Sequence, residues 1–175
     1  MKDLIGKTTL PVRIGILLAV MSIMFGFSVG IVFGGFDTIL RNVLKAKAEA
    51  VLVTVYNNDI DKMRSILNMS GGLIKMAHIH ANGLGISSLA LILMMILFCP
   101  DGKAKDSASV CLGLGALGYS TFWLFAGLKA PGLGSTQLAH DSLHLLAIPA
   151  AAMSVAGLLL TFGLFVRAAF IKKKE

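Results

Sequence analysis

Four histidines are the residues of this chain whose type and spacing could do chemistry. They form two pairs, His78 with His80 and His140 with His144, each near the start of an apolar stretch. Imidazole nitrogens bind haem iron and other transition metals, and they exchange protons near neutral pH. The pairs therefore predict a haem site, a site for a smaller metal or for protons, or a structural role in which the imidazoles bond only to carbonyls and water.

Other chemistries lack the residues they need. The H-x-x-x-H spacing of His140 and His144 carries no glutamate, which excludes the H-E-x-x-H zinc protease motif. Cys99 and Cys111 form no C-x-x-C pair, and no C-x-x-C-H is present, so neither redox disulfide chemistry nor covalent haem attachment is indicated. There is no P-loop and no nucleophile elbow. We expect an electron-transfer or accessory subunit rather than a stand-alone enzyme.

Four long apolar stretches must position the histidines. The chain has 175 residues, of which 56% are hydrophobic and 14% charged, a composition far from that of soluble domains. Residues 12–36, 73–99, 107–128 and 142–171 are each long enough to span a bilayer as a helix, and none contains an acidic residue. The sequence predicts an all-α integral membrane protein, a single domain over residues 1–175 folded as a four-helix antiparallel bundle.

The polar segments indicate the orientation. The net charge of +7 comes from basic residues scattered between the apolar stretches, which is typical of membrane-flanking charges and not of a nucleic-acid surface. Both termini and the loop 100–106 share one side, and nine Lys and Arg residues lie in these short flanks. We expect this side to be cytoplasmic and the protein to be multi-pass in a bacterial inner membrane.

Residues 37–72 form the sizeable segment outside the membrane. Ile39, Val43 and Val51 recur at helical spacing, and Asn57 to Asp59 indicate a turn and a helix N-cap. Ser70 and the two glycines after it predict a break before the second span. We expect an outer helical hairpin, whose apolar stripe either docks a partner or packs the two arms together.

Depth and topology bring the two histidine pairs to one level. Counting back from the cytoplasmic markers Asp101 and Arg167 places His80 and His144 about 31–35 Å from the inner boundary. Spans two and four run in the same direction and would lie diagonally across a simple bundle, so their histidines could face each other through its centre. That arrangement suits two axial haem ligands or a chelated metal.

Spacing decides which histidines could act together. His78 and His80 point about 200° apart on a helix, so only one of them can face the core. His140 and His144 are four residues apart, so we expect them to share a helix face. We expect His80 or His78 to pair with His144, and His140 to be an alternative ligand or a neighbour of the haem propionates. Two lysines near the same face could pair with the propionates, or simply anchor the interface: Lys75 and Lys129.

Two short motifs resemble a known group of proteins. Residues 77–85 read A-H-I-H-A-N-G-L-G, and residues 129–134 read K-A-P-G-L-G ahead of the second histidine pair. Together they resemble uncharacterised small bacterial four-span membrane proteins in which one span opens with A-H-x-H-x-x-G-L-G. The resemblance covers roughly the last hundred residues, and it implies the four-span topology without implying an activity.

The functional prediction is a membrane electron-transfer subunit that binds b-type haem through histidines at the outer face of spans two and four. It would pass electrons between a periplasmic redox partner, or a larger membrane complex, and possible quinone acceptors or donors. Two alternatives stay open. One is a non-catalytic accessory or assembly subunit without a cofactor, and the other is a periplasmic-face site for copper, zinc or iron. Membrane lipid is a partner in all three, and nucleic acid in none.

Overall fold

Residues 8–170 are described by a computed structural model, and their regular structure is entirely helical. Four of the helices, the first, third, fourth and sixth, are long and apolar enough to cross a membrane. This confirms the all-helical class and the four candidate spans. The six helices are α1 (Leu10–Gly35), α2 (Asp37–Glu49), α3 (Ile60–Phe98), α4 (Lys103–Leu133), α5 (Thr136–Asp141) and α6 (His144–Phe170).

Some of the predicted features lie outside the described residues. They are the predicted end of the fourth span at Ile171 and five of the basic residues used to orient the chain: Lys2, Lys7, Lys172, Lys173 and Lys174.

Small residues on one face of α1 let the neighbouring helices approach closely. Pro11 lies in the first turn, where its missing N–H is not needed. Gly15, Ala19, Ser22 and Gly26 follow at intervals of three or four residues and are buried. Helices in lipid associate through this kind of close contact, because the lipid tails are as apolar as the side chains and the hydrophobic effect does not drive the helices together. The opposite face of α1 carries the large exposed side chains.

The central helix is α4, which packs against α1, α3 and α6. Helices α1, α3 and α4 contact one another in a triangle, and α6 packs chiefly against α4. Contacts between α3 and α6 are few, and one of them is the hydroxyl of Thr161, which lies 3.5 Å from the sulfur of Met95. Spans two and four are therefore separated by a cleft and do not face each other through a common centre.

The segment between α1 and α3 contains the helix and the turn that the sequence predicts. Asn57 and Asn58 both adopt positive φ, at 51° and 63°. The carboxylate of Asp59 then accepts a hydrogen bond of 2.8 Å from the Lys62 amide and caps α3. Tyr56 is buried in this turn and donates to the carbonyl of Pro131 at 2.7 Å, which fastens the turn to the end of α4.

The predicted break after Ser70 is wrong, because α3 continues through both glycines as one helix of 39 residues. The hydroxyl of Ser70 donates to the carbonyl of Gly127, and Ile74 is buried over the same glycine of α4. These tertiary contacts outweigh the weak helix propensity of two consecutive glycines.

The prediction that His140 and His144 share one helix face is also wrong. His140 belongs to the short helix α5, and His144 begins α6. Ser142 lies between the two helices. Its amide donates to the carbonyl of Leu138, and its hydroxyl donates to the carbonyl of Ala139 at 2.9 Å. A serine that bonds to its own backbone in this way competes with continuation of the helix.

A histidine–aromatic cluster as the candidate functional site

His80 on α3 lies against two aromatic side chains of α4. Its imidazole is stacked on the indole of Trp123, with ring centroids 5.5 Å apart and an interplanar angle of 15°. The ring of Tyr119 meets the imidazole edge-on at 5.2 Å. Tyr119 and Trp123 are four residues apart and therefore share a face of α4.

His140 on α5 reaches the same aromatic group from another direction. Its imidazole meets the indole of Trp123 at 5.4 Å and 88°, and the ring of Phe122 at 5.4 Å and 53°. These five residues form the histidine–aromatic cluster: His80, Tyr119, Phe122, Trp123 and His140. Both histidines contact one indole, so the cluster joins α3, α4 and α5 at the end of the molecule where the histidines lie, here called the histidine end.

Two nitrogens in the cluster have no hydrogen-bond partner among residues 8–170. They are Nε2 of His140 and Nε1 of Trp123, and both are buried. Buried polar atoms are normally hydrogen-bonded, so an unpaired one indicates strain, a water or a ligand.

The tautomer of His80 follows from its hydrogen bond. Its Nδ1 lies 2.8 Å from the carbonyl oxygen of Met76. A carbonyl only accepts, so in the neutral imidazole Nδ1 carries the proton and Nε2 keeps its lone pair. Histidines that bind metals usually donate their other ring N–H to a carbonyl or carboxylate in this way.

His78 lies elsewhere, in the interface between α3 and α1. Its Nδ1 donates to the carbonyl of Gly26 at 2.7 Å, and Asn82 donates to the carbonyl of His78 at 3.0 Å. Gly30 makes room for the imidazole, because a Cβ at that position would lie 2.7 Å from the Cε1 atom of His78. The structure thus separates His78 from His80, as the predicted angle between them requires.

His144 is also outside the cluster. Its side chain is 59% exposed, and Nε2 lies 3.3 Å from the carboxylate of Asp141. Lys129 is exposed as well, and its ammonium donates to the hydroxyl of Ser142 at 3.2 Å. The structure therefore brings His80 together with His140 rather than with His144.

A groove of about 540 Å³ adjoins the cluster between α3 and α5. It is named the end groove, and its walls are mainly apolar. Lys75 and His140 are the charged or titratable residues along it. The residues that line it are Met69, Gly72, Leu73, Lys75, Met76, Ile79, Thr136 and His140.

The three aromatic residues of the cluster are not among the site residues that the sequence predicts: Tyr119, Phe122 and Trp123. A signal was available, because residues 119, 122 and 123 share a helix face in a span that must lie next to the histidines. Within residues 8–170, no three His, Cys, Asp or Glu side chains come together in a group that could hold a metal ion.

The fold and the cluster define the class of protein. The chain is a multi-pass membrane protein that is all-helical over residues 8–170, with four candidate spans there and a half-buried histidine–aromatic cluster at one end. Comparison of the chain with protein-family models, with curated proteins and with solved structures gave no match.

Proposed function

We propose that this protein is a small electron-transfer subunit of a bacterial inner membrane that holds b-type haem at the histidine–aromatic cluster. The observation that carries the proposal is the hydrogen bond from Nδ1 of His80 to the carbonyl of Met76, since it leaves Nε2 without a partner among residues 8–170, next to the rings of Trp123 and Tyr119. Axial imidazole ligation and a pocket of low polarity are the features by which proteins bind haem and adjust its potential.

The residues present fit a haem with one imidazole ligand. Nε2 of His80 has no partner among residues 8–170 and could bind iron, and the end groove, which His140 lines, offers apolar walls for part of a macrocycle. Lys75 lines the same groove and is exposed, so its ammonium could pair with a propionate. When bound, the haem would supply reversible one-electron chemistry, and the protein would supply the ligand and the neighbouring aromatic rings.

A second imidazole ligand would come from His140. The indole of Trp123 contacts both imidazoles, so one iron could reach both only if the indole turned aside. The unpaired Nε2 of His140 favours this residue as the second ligand over His144, whose Nε2 already lies beside Asp141. Lys129, whose ammonium donates to the hydroxyl of Ser142, would then serve the interface.

The experiment compares haem content per protein after purification in detergent. His80→Ala is expected to lose most of the haem, because it removes the ligand. His144→Ala is the matched control, an exposed histidine outside the cluster, and is expected to retain the wild-type content. Equal haem content in His80→Ala and wild type would contradict the proposal.

A second candidate function is an accessory or assembly subunit of a larger membrane complex. The observation that favours it is the position of α6, which packs chiefly on α4 and leaves a broad apolar face exposed. The segment between α1 and α3 would stand on the periplasmic side and be the docking element. Such a subunit would co-purify with larger chains and carry no cofactor.

A periplasmic-face site for copper, zinc or iron is the remaining candidate. The free Nε2 of His80 and the unpaired Nε2 of His140 are the donors that would support it. Elemental analysis of the purified protein, with metal present at or below the background of the buffer, would remove this candidate.

A further inference from the structure

The cleft between α3 and α6 contains a second groove, separate from the end groove. It has a volume of about 220 Å³ and is named the mid-span groove. Leu84 and Leu91 of α3 form one wall, Val155 and Leu158 of α6 form the other, and Leu112 of α4 lies at its base. The contact between Thr161 and Met95 closes the cleft at the end remote from the histidines.

The mid-span groove leads towards the histidine–aromatic cluster. Leu84 follows His80 by four residues and lies on the same face of α3. On α4, Leu112, Tyr119 and Trp123 follow one another at intervals of seven and four and also share a face. The imidazole–indole stack thus lies about one helical turn from the groove along α3 and about two turns from it along α4.

The lining of the mid-span groove suits a hydrocarbon chain. None of its lining residues is charged. Two of its three serines already use their hydroxyls within the protein: Ser88 donates to the Leu112 carbonyl at 3.1 Å and Ser154 to the Ala150 carbonyl at 3.1 Å. The groove therefore offers an apolar ligand a matching shape and dispersion contacts. It offers few free polar groups that could bind a polar ligand.

We infer that the cleft binds a membrane quinone, with its isoprenoid chain in the mid-span groove and its ring beside His80 and Trp123. A neutral flat ring matches the stacked imidazole and indole, since aromatic faces favour parallel or edge-on neighbours. A phospholipid fits less well, because its anionic phosphate would take the place of the quinone ring, and the histidine–aromatic cluster contains no Lys or Arg to pair with it.

This inference rests on the proposed electron-transfer function and names its partner in the membrane. A quinol oxidised at this place becomes a quinone and releases two electrons and two protons. A haem held by His80 would supply one-electron chemistry, so it would take the two electrons one at a time, with a one-electron redox partner in the periplasm accepting the first before the second arrives. The protons would leave to water at the histidine end. The reverse sequence would reduce a quinone.

The test uses a decyl benzoquinone with a photoreactive azido group on its ring, added to the full-length protein in detergent. After illumination, mass spectrometry locates the labelled residues. Labelling is expected around His80 and Trp123, and unlabelled decyl benzoquinone should compete with it. Val155→Phe overfills the mid-span groove and is expected to weaken labelling about tenfold.

Leu160→Phe is the matched control, because Leu160 is exposed on α6 and does not line the groove. It should label like the wild type. Labelling spread over all exposed faces, labelling unchanged by Val155→Phe, or equal competition by phosphatidylglycerol would each overturn the inference. Haem content is measured in the same samples. Specific labelling without haem would contradict only the proposed haem function, and haem without specific labelling would contradict only the quinone site.

Discussion

The imidazole of His80 lies nearly parallel to the indole of Trp123, and the same indole meets the imidazole of His140 edge-on. One tryptophan thus joins two histidines that are sixty residues apart in the chain. The candidate site therefore lies at the junction of α3, α4 and α5, and not in the middle of the four-helix bundle that the sequence predicts. This relationship also makes Trp123 the side chain whose position decides whether the two imidazoles can share a ligand.

The close contact between α1 and α4 at Gly15 should be necessary for the stability of the fold. A Cβ at this position would collide with the carbonyl oxygen of Ser109 on α4, a backbone atom that cannot turn away. We expect Gly15→Ala to lower the free energy of unfolding by about 1–3 kcal/mol. Thermal unfolding in detergent, followed by circular dichroism, measures the effect.

Gly34→Ala is the matched control for Gly15→Ala. Gly34 lies in the same helix, and no neighbouring atom among the described residues lies within 4 Å of the added Cβ. Alanine is the better helix former, so this variant should be neutral or slightly stabilising. Equal destabilisation in both variants would contradict the packing of α1 on α4.

The hydrogen bond from Tyr56 to Pro131 should hold the turn before α3 against the end of α4. Tyr56 is only 1% exposed, so Tyr56→Phe leaves the carbonyl of Pro131 without this donor in a buried place. We expect a loss of about 1–3 kcal/mol in the free energy of unfolding. A variant as stable as the wild type at neutral pH would show that water replaces the phenol.

The same residue predicts a pH dependence. Burial raises the pKa of the Tyr56 phenol above its ordinary value of 10.0. The unfolded chain therefore loses this proton at a lower pH than the folded chain, and the contribution to stability is lost as pH rises through 10 towards the folded pKa. The decline should be shallower in Tyr56→Phe, and equal slopes in denaturant titrations would contradict this cause.

Lys105 should fasten the connection between α3 and α4. Its side chain is buried, and its ammonium donates to the carbonyl of Cys99 at 3.2 Å and pairs with Asp101 at 2.5 Å. We expect Lys105→Met to cost about 1–3 kcal/mol of unfolding free energy, because the buried carbonyl loses its donor. Lys103→Met, at an exposed neighbouring position, serves as the control and should be nearly neutral.

The proposed orientation predicts which loops face the periplasm. In a background of Cys99→Ala and Cys111→Ala, Asn57→Cys should react with a membrane-impermeant maleimide in intact spheroplasts. Lys103→Cys should react only after the membrane is opened, since basic loops stay in the cytoplasm. The reverse labelling pattern would contradict the orientation and place the histidine end in the cytoplasm.

The sequence predicted the elements of this fold better than their arrangement. Apolar length alone identified four spans, and the Asn57–Asp59 turn and cap were read directly from residue types. Ser70 suggested a helix break because local propensity was the only information available. Its bond to Gly127 on another helix is a tertiary contact that no local pattern reveals.

The candidate site was predictable in its residue types and not in its partners. The sequence indicated the four histidines by their common depth in the membrane. The predicted pairing of His80 or His78 with His144 assumed a symmetric four-helix bundle. The structure instead separates α3 from α6, ends α5 at Ser142, and brings His140 to Trp123. These outcomes depend on how small residues let α4 approach three neighbours, and helix periodicity does not specify which helices become neighbours.

The absorption spectrum of the purified protein, oxidised and then reduced with dithionite, tests the central claim most directly. The protein must be expressed with ample haem and kept full-length in detergent. The proposed function predicts a sharp α-band of b-type haem in the reduced spectrum that is lost in His80→Ala and kept in His144→Ala. A featureless reduced spectrum from well-folded wild-type protein would contradict the haem site and favour the accessory subunit.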